Sequence, residues 1–305
     1  MKSRIWALVA VFLVQVIYGF TFTFANDVID GGHIKPFGFI LIRIFFATLL
    51  FWAFSVFAPK EKVDPKDYKT FFLAAIFGIA LNMLTFFKGF EYTTPIHASV
   101  IMTVVPIVVL ILSSIMLNER ITKLKILGIL IGFSGALILS LYGKSTQAGD
   151  NIPLGNLLVF INAVSYSIYL IIIKKLTFKY HPFTFIKWLF LFGLILVAPF
   201  GLNEVLYIDF STFDTYIYFA VGFIIVGATF TTYLLNPLAL TRLRASTVSA
   251  FLYLQPVVAG IFAVTMGSDT INPVKLIAAA CIFCGVYLVT KPPRARITDL
   301  KQINS

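Results

Sequence analysis

Long apolar runs separated by short polar segments occupy almost the whole chain. Ten runs can be distinguished, covering residues 5–25, 36–58, 70–90, 96–117, 126–142, 154–173, 183–203, 216–238, 247–266 and 274–290. Each is close to the length of about 20 residues that one helix needs to cross a bilayer. Lipid offers the backbone no hydrogen-bond partner, so each run must be a helix or a strand of a closed barrel. Residues 104–116 lack the period of two of a barrel strand. The pattern therefore predicts an all-α integral membrane protein with ten transmembrane helices.

The composition leaves no room for a separate soluble domain. Of the 305 residues, 59% are hydrophobic and 12% are charged, and the mean hydropathy is +0.95. Soluble domains carry about 25% charged residues, and ten spans use roughly 200 residues by themselves. The first run is longer than the apolar core of a cleaved signal peptide, which has about 7–15 residues, so we expect an uncleaved first span.

The basic residues predict the orientation of the chain. With the N terminus in the cytoplasm, 18 Lys and Arg residues lie on the cytoplasmic side, and three, Lys35, Lys88 and Lys144, lie on the other side. This distribution satisfies the positive-inside rule and predicts a multi-pass protein of the cytoplasmic (inner) membrane with both termini in the cytoplasm. The net charge of +11 is thereby attributed to topology, and we expect no nucleic-acid partner.

The sequence also contains an internal repeat. At an offset of 150 residues, several pairs match, among them Ser99/Ser249, Pro106/Pro256, Lys125/Lys275 and Gly135/Gly285. At an offset of 148, Tyr18 matches Tyr166. The predicted units are two five-helix repeats, residues 1–147 and 148–290, followed by a cytoplasmic tail, residues 291–305. Because five is odd, the second unit must enter the membrane from the opposite side. Such inverted repeats are typical of secondary transporters.

Several motifs of the chain resemble those of a known family. The first copy reads Tyr92-Thr93-Thr94-Pro95-Ile96-His97-Ala98-Ser99, then Pro106, then Leu117-Asn118-Glu119-Arg120, and the second copy includes Tyr253-Leu254-Gln255-Pro256-Val257. These stretches resemble the repeat motif of the EamA family of the drug/metabolite transporter (DMT) superfamily. The resemblance implies ten helices around a central cavity and the export or exchange of small metabolites. Two positions depart from the family pattern: Asp269 stands where Glu is usual, and Tyr18 where Trp is usual.

Polar residues recur on single helix faces within the spans, and intramembrane polar residues commonly face a bundle interior or a cavity. The predicted cavity-lining set is Gln15, Tyr18, Phe22, Asn82, Thr103, Asn162, Tyr166, Tyr169, Tyr233, Asn236, Tyr253 and Gln255. The alternative is that these groups only hydrogen-bond helix to helix. Arg43 and Lys88 are the possible charges in the path, although Arg43 can instead snorkel or pair with a carbonyl.

Matched prolines and glycines predict two further features. Pro106 and Pro256 lie near the middle of their spans, where they should break the helix and free the carbonyls of Met102 and Leu252. Gly128-xxx-Gly132 and Cys281-xxx-Gly285 are small-residue patterns that allow close helix packing, so we expect the fifth and tenth spans to pack together. Glu119, beside Arg120 and Lys123, should form an interfacial ion pair or anchor a helix end.

These features favour a secondary transporter working by alternating access, an exporter or exchanger of amino acids or similar amphipathic solutes. No acid lies in a helix interior and no P-loop is present, so we expect weak or no energy coupling. The alternatives are a transporter of small organic anions, a membrane-embedded enzyme, or a scaffold with a transporter fold. We predict no catalytic residue, metal site or cofactor. The expected partners are a small-molecule substrate and the lipid bilayer, with the chain as monomer or homodimer.

Overall fold

The computed structural model describes residues 2–141, 151–265 and 272–291, and within this part the chain is all-α, without strands. Ten helices in this part of the chain are long and apolar enough to span a membrane, which confirms the predicted fold class and span number. They are α1 Lys2–Asp30, α2 Pro36–Phe54, α3 Asp67–Tyr92, α4 Pro95–Met102 and Val105–Leu117, α5 Lys123–Leu141, α6 Ile152–Leu176, α7 Pro182–Leu206, α8 Thr215–Leu240, α9 Ala245–Ala250 with Phe251–Leu254 and Gln255–Thr265, and α10 Pro273–Thr290. Of the predicted tail, residues 291–305, all but residue 291 lies outside the described residues.

Local chemistry explains where many of the helices begin. Proline, whose missing N–H is not needed in the first turn, opens α2, α7 and α10. Asn151, Asp214 and Asn272 precede α6, α8 and α10, and their side chains accept a backbone N–H three residues later. Such N-caps satisfy backbone donors that have no partner within the helix.

The carboxylates of Glu61 and Glu204 cap the starts of helices that are distant from them in the sequence. Glu61, in the connection between α2 and α3, accepts hydrogen bonds from the backbone N–H of His181 (2.8 Å) and from the hydroxyl of Thr184 (2.6 Å) at the start of α7. Glu204, near the end of α7, accepts the backbone N–H of Gly38 (2.7 Å) at the start of α2. Because an anion is stabilised at a helix N-terminus, these contacts fix α2 and α7 to each other at both ends.

The main helix contacts of the first five helices are repeated by the second five. Helix α2 packs against α7, and α5 packs against α10. The pair α3–α6 has its counterpart in α8–α1, and the pair α4–α6 in α9–α1. Adding or subtracting five from the helix numbers turns each pair into its counterpart. A duplication of five helices would produce this pattern.

Glycines bring α5 and α10 into backbone contact. A Cβ added at Gly285 would lie 2.5 Å from the carbonyl oxygen of Gly128 and 2.6 Å from the nitrogen of Gly132. A Cβ at Gly135 would lie 2.6 Å from the carbonyl oxygen of Ala278. The predicted close packing of the fifth and tenth spans is therefore confirmed, and it depends on the absence of side chains at these positions.

Four interruptions break the regular α-helices within the described ranges. Helices α3 and α8 contain π-helical segments at Ile76–Ala80 and Ile224–Thr231, which the sequence pattern does not predict. Helix α4 is interrupted between Met102 and Val105, and α9 contains a 3₁₀ segment at Phe251–Leu254. The first residues of the two π segments, 76 and 224, differ by 148, which is the offset that aligns Tyr18 with Tyr166. Interruptions of this kind are common at functional sites.

The packing of α5 on α10 generates a testable prediction. Gly285→Ala would push a methyl group into the backbone of α5, so we expect the helices to separate and the free energy of unfolding to fall by about 1–3 kcal/mol. Gly222→Ala is the matched control, because an added Cβ there meets nothing within 4 Å. Thermal unfolding of the purified protein measures both variants. Equal melting temperatures for Gly285→Ala and the wild type would contradict the prediction.

Candidate functional site

A cavity of about 640 Å³ lies among the helices. Its lining residues come from α1, α2, α3, α4, α6, α8 and α9 and from Thr93, which follows α3. Ligand pockets typically measure about 300–1,000 Å³, so the cavity has room for a small metabolite. Helices α5 and α10 contribute none of the lining residues, in agreement with their role in packing.

The lining residues show toward which end the cavity extends. Arg43, Met102 and Leu252 lie near the middle of their helices, whereas Ile29 and Glu91 lie near the ends of α1 and α3. No described lining residue comes from the opposite ends of these helices. The cavity therefore reaches from the middle of the bundle to the face that carries the α1–α2 and α3–α4 connections.

Seven of the predicted site residues line this cavity: Tyr18, Arg43, Asn82, Asn162, Tyr166, Tyr233 and Gln255. They provide hydroxyl, amide and guanidinium groups, and the rest of the wall is mostly apolar apart from Thr21, Glu91 and Thr93. The polar stripes of the sequence do not indicate the apolar part of the wall, which includes Met83, Phe86, Phe87, Phe90 and Met102. The chain contains 33 Phe residues, and no pattern distinguishes those that face a cavity from those that face lipid.

The π segment of α3 supports two neighbouring helices at the cavity. The carbonyl oxygen of Gly78 accepts the hydroxyl of Tyr233 (2.8 Å), and that of Phe77 accepts the hydroxyl of Ser165 (2.8 Å). A Cβ at Gly78 would lie 2.3 Å from the ring of Tyr169, so only glycine allows this approach. The wider turn exposes carbonyls that side chains of α6 and α8 satisfy, as buried backbone groups require.

The π segment of α8 holds Arg43 in the same way. The Nε atom of Arg43 donates to the hydroxyl oxygen of Thr229 (3.1 Å), and that hydroxyl donates to the carbonyl oxygen of Ile224, five residues earlier (2.9 Å). The guanidinium carbon lies 5.6 Å from the centre of the Phe39 ring. Arg43 is buried and forms no ion pair with a described carboxylate.

Two asparagines join α3 to α6 beside the cavity. The Nδ2 atom of Asn162 donates to the carbonyl oxygen of Asn82 (2.7 Å), and Asn82 donates to the carbonyl oxygen of Asn162 (3.4 Å). The Oδ1 atom of Asn162 is buried and has no hydrogen-bond partner among the described residues. These amides therefore combine the two roles that the sequence left open, since they line the cavity and also bond helix to helix.

Several predicted residues lie behind the cavity wall. Tyr253 packs against Gly132, where a Cβ would lie 2.7 Å from its ring. Tyr169 and Asn236 are buried, and the hydroxyl of Thr103 donates to the carbonyl oxygen of Val100 (2.6 Å). None of these residues lines the cavity. A polar stripe on a helix marks its buried face, and that face contacts other helices as well as the cavity.

Three other predicted residues have separate positions. Gln15 lies behind the wall and accepts a hydrogen bond from Nε2 of Gln255 (3.0 Å). Lys88 forms an ion pair with Glu91 (2.6 Å), and both side chains are exposed. Lys88 does not line the cavity. The side chain of Phe22 lies outside the described ones.

The predicted helix breaks have a defined local structure. Pro106 and Pro256 each stand in the first turn of the helical segment that follows an interruption. The carbonyl oxygen of Leu252 accepts the backbone N–H of Gln255, so this group is satisfied within the chain. Both Met102 and Leu252 line the cavity, which places the two interruptions at its wall.

A network of buried charges lies at the other end of the bundle. Glu119 accepts hydrogen bonds from the backbone N–H of Ala245 (2.8 Å) and the hydroxyl of Ser246 (2.6 Å). Lys125 lies 3.3 Å from Glu119 and donates to the Ser246 hydroxyl (2.7 Å). Glu119 thus forms an ion pair, as expected, but the pair is buried instead of interfacial and its partner is Lys125. The helix end that Glu119 anchors is the start of α9, in the other half of the chain.

A family profile described as the EamA-like transporter family matches residues 5–141 and 153–291, nearly the whole chain. The chain belongs to this family. An uncharacterized transporter of Archaeoglobus fulgidus is 28% identical, over 85% of the chain and 90% of the relative. The uncharacterized transporter YetK of Bacillus subtilis is 25% identical, over 82% of the chain and 75% of the relative. A solved crystal structure, 16% identical, aligns with a TM-score of 0.77 over 98% of the chain and 99% of its own and shows the same fold.

The comparisons confirm the family that the sequence motifs resemble. This EamA-like protein is a multi-pass membrane protein of a transporter family. The two matched stretches nearly coincide with the two units that the sequence repeat predicts, 1–147 and 148–290.

The bond from Tyr233 to the π segment of α3 generates a prediction. Tyr233→Phe leaves the buried carbonyl of Gly78 without this donor, so we expect the free energy of unfolding to fall by about 1–3 kcal/mol. Tyr166→Phe is the matched control, because Tyr166 lines the same cavity and its hydroxyl has no hydrogen-bond partner among the described residues. Thermal unfolding compares the two. A greater loss for Tyr166→Phe than for Tyr233→Phe would contradict this assignment.

Proposed function

We propose that this EamA-like protein is a secondary transporter that moves amino acids or similar amphipathic metabolites across the cytoplasmic membrane by alternating access. It acts as an exporter or exchanger, and small organic anions are the second candidate cargo. The observation that carries the proposal is the pairing of a cavity that extends to one face with a buried charge network at the opposite end. With the termini in the cytoplasm, as the basic residues indicate, the cavity opens outward and the network closes the cytoplasmic end.

Three features that an inverted repeat would produce support this mechanism. The most extensively packed pairs of helices become other packed pairs, or the same ones, when five is added to or subtracted from the helix numbers. The family profile matches the chain twice, and the two π segments begin 148 residues apart. Two units of opposite orientation can adopt two mirror-related arrangements around one central site. The same chain would then open its cavity to either face without a large change in the contacts it makes.

The Glu119 network has the properties of a gate. It joins the α4–α5 connection of the first unit to the start of α9 in the second. Lys174 adds a bond between α6 and the end of α8, because its Nζ donates to the carbonyl oxygen of Leu240 (2.6 Å). Removing one partner of a buried ion pair leaves the other charge uncompensated, so the closed end is stable only while the network is complete.

The described acids favour uncoupled transport. Asp67 begins α3, Asp214 precedes α8, and Glu91 and Glu204 lie in the last turns of α3 and α7. No described carboxylate lies in the middle of a span, where proton-coupled transporters commonly place one. The proposed mode is facilitated diffusion or exchange.

The cavity wall bounds the cargo chemically. Aromatic rings and methionines supply apolar contact, and the hydroxyls and amides supply a few hydrogen bonds. Such a wall suits a solute with an apolar part and a small polar end. A polyanion would find a single described cation, Arg43.

Counterflow in liposomes tests the function. A thermal-shift screen of the purified protein against a metabolite library first identifies a ligand, because a ligand of the folded state raises the apparent stability. Vesicles loaded with that ligand should then accumulate its labelled form transiently, and a pH gradient alone should drive no accumulation. Binding without exchange would favour a scaffold, chemical conversion of the ligand would favour an enzyme, and uptake driven by the pH gradient would overturn the uncoupled mode.

Substitution of Glu119 tests the gate. In a background with Cys281 and Cys284 replaced by alanine, Ser249→Cys places a thiol one turn beyond the network, at a buried position of α9. Glu119→Gln should raise the rate at which a polar maleimide labels this thiol by about tenfold or more, because the closed end loses a buried ion pair.

Glu204→Gln is the matched control for the gate. Glu204 also holds a helix N-terminus, that of α2, but at the opposite end of the bundle. We expect it to lower the melting temperature without raising the labelling of the thiol at position 249. Equal labelling in the Glu119 variant and its parent would contradict the assignment of Glu119 as a gate.

A further inference from the structure

Arg43 is the single cation among the described side chains that line the cavity. It lies in the middle of α2, it is 7% exposed, and it is held by Thr229 through Nε alone. A guanidinium carries five N–H donors in a planar fork. The described residues therefore use one donor for anchoring and leave the terminal nitrogens without a described hydrogen-bond partner.

No described carboxylate compensates this charge. Each described acidic side chain is engaged elsewhere. The pairs are Asp27 with Tyr216, Asp64 and Asp67 with Lys179, Asp209 with Ser211, Asp214 with Ile217, Glu61 with Thr184, Glu91 with Lys88, Glu119 with Lys125, and Glu204 with Gly38. A buried charge without a partner is costly unless water or another molecule solvates it. Because Arg43 lines the cavity, that molecule can be the cargo.

The geometry favours a carboxylate as the partner. Arginine pairs with carboxylates through two parallel N–H···O bonds. Because Nε donates to Thr229, the two terminal nitrogens are the pair that remains for such a fork. The anchor at Nε and the ring of Phe39 hold the guanidinium in one orientation. The site is therefore preorganised for a planar anion rather than for a neutral group.

The rest of the wall limits the number of charges on the cargo. Phe86, Phe87, Phe90 and Met83 are apolar, and the other charged lining residue is Glu91. A second negative charge would meet no described cation among the lining residues, and the nearby Lys88 is already paired with Glu91. A positive charge on the cargo is tolerated, since aromatic faces attract cations.

We propose that the cargo is a monocarboxylate or a zwitterion whose carboxylate pairs with the terminal nitrogens of Arg43, while its apolar part lies against the phenylalanines of α3. The inference rests on the proposed transport function, because it assigns the cavity as the cargo site. It makes Arg43 the residue that selects acids over neutral analogues of the same shape.

Matched pairs of acids and amides test the selectivity. The probes are L-phenylalanine with L-phenylalaninamide, 3-phenylpropionate with 3-phenylpropionamide, and the dianion benzylmalonate. Binding to the purified full-length protein is measured by thermal shift and calorimetry. We expect at least one of the two monoacids to bind, and its amide and benzylmalonate to bind about tenfold or more weakly, as the loss of a charge-assisted pair implies.

Substitutions assign the selectivity to Arg43. Arg43→Gln should weaken acid binding about tenfold to a hundredfold and leave amide binding unchanged. Thr229→Val keeps the charge but removes the Nε anchor, so a loss of about two- to tenfold is expected. The matched control is Lys187→Gln, a span cation that lies 5.0 Å from the Trp52 ring and does not line the cavity. If Arg43→Gln fails to fold, Thr229→Val still tests the role of Arg43, because it keeps the arginine and removes only its anchor.

The outcomes separate this inference from the transport proposal. Amides that bind as well as the acids, an acid preference that survives Arg43→Gln, or no binding by either monoacid would overturn the inference. If an amide binds and is exchanged in liposomes, transport stands and carboxylate recognition falls. If an acid binds through Arg43 but is not exchanged, the Arg43 site stands and the transport proposal falls.

Discussion

The absence of hydrogen-bond partners in lipid is the constraint on which the rest of the structure depends. Every backbone group within the membrane must be satisfied by the protein, so regular helices are the default and each departure needs a compensating contact. Helix α3 departs at Ile76–Ala80, where the hydroxyls of Ser165 and Tyr233 take up the exposed carbonyls. Because these contacts come from α6 and α8, the irregular segment also ties three helices together at the cavity.

The two buried charge sites meet the same constraint in different ways. At one end of the bundle, Glu119 and Lys125 neutralise each other, and Glu119 joins the α4–α5 connection to the start of α9. In the cavity, Arg43 has a hydroxyl partner and no described counter-ion. A buried ion pair holds its surroundings together, whereas an unpaired charge requires water or a guest. The end of the bundle opposite the cavity is therefore held by a neutralised ion pair. The cavity, in contrast, contains a positive charge that no described carboxylate neutralises.

The sequence predicts the helices well because length, hydropathy and capping are local properties. Pro182 and Asn272 mark helix starts by chemistry that needs no partner from elsewhere in the chain. The π segments were not predicted, since the close approach of Gly78 to Tyr169 becomes visible only after the helices pack. The polar stripes indicated Tyr18 and Tyr233 at the cavity, but they could not separate these from Tyr253, which occupies the same kind of buried face against another helix.

The unpaired charge also bears on the choice between exchange and net export. To change sides, the cavity must pass through a state in which it is closed to both faces and largely dehydrated. An empty carrier would carry the guanidinium of Arg43 through that state without an anion, and the cost of dehydrating an unpaired charge is high. A carrier loaded with a carboxylate would pass through it with the charge neutralised. If the cargo pairs with Arg43 as proposed, return of the empty carrier is the slow step, and the chemistry of the site favours exchange of one acid for another.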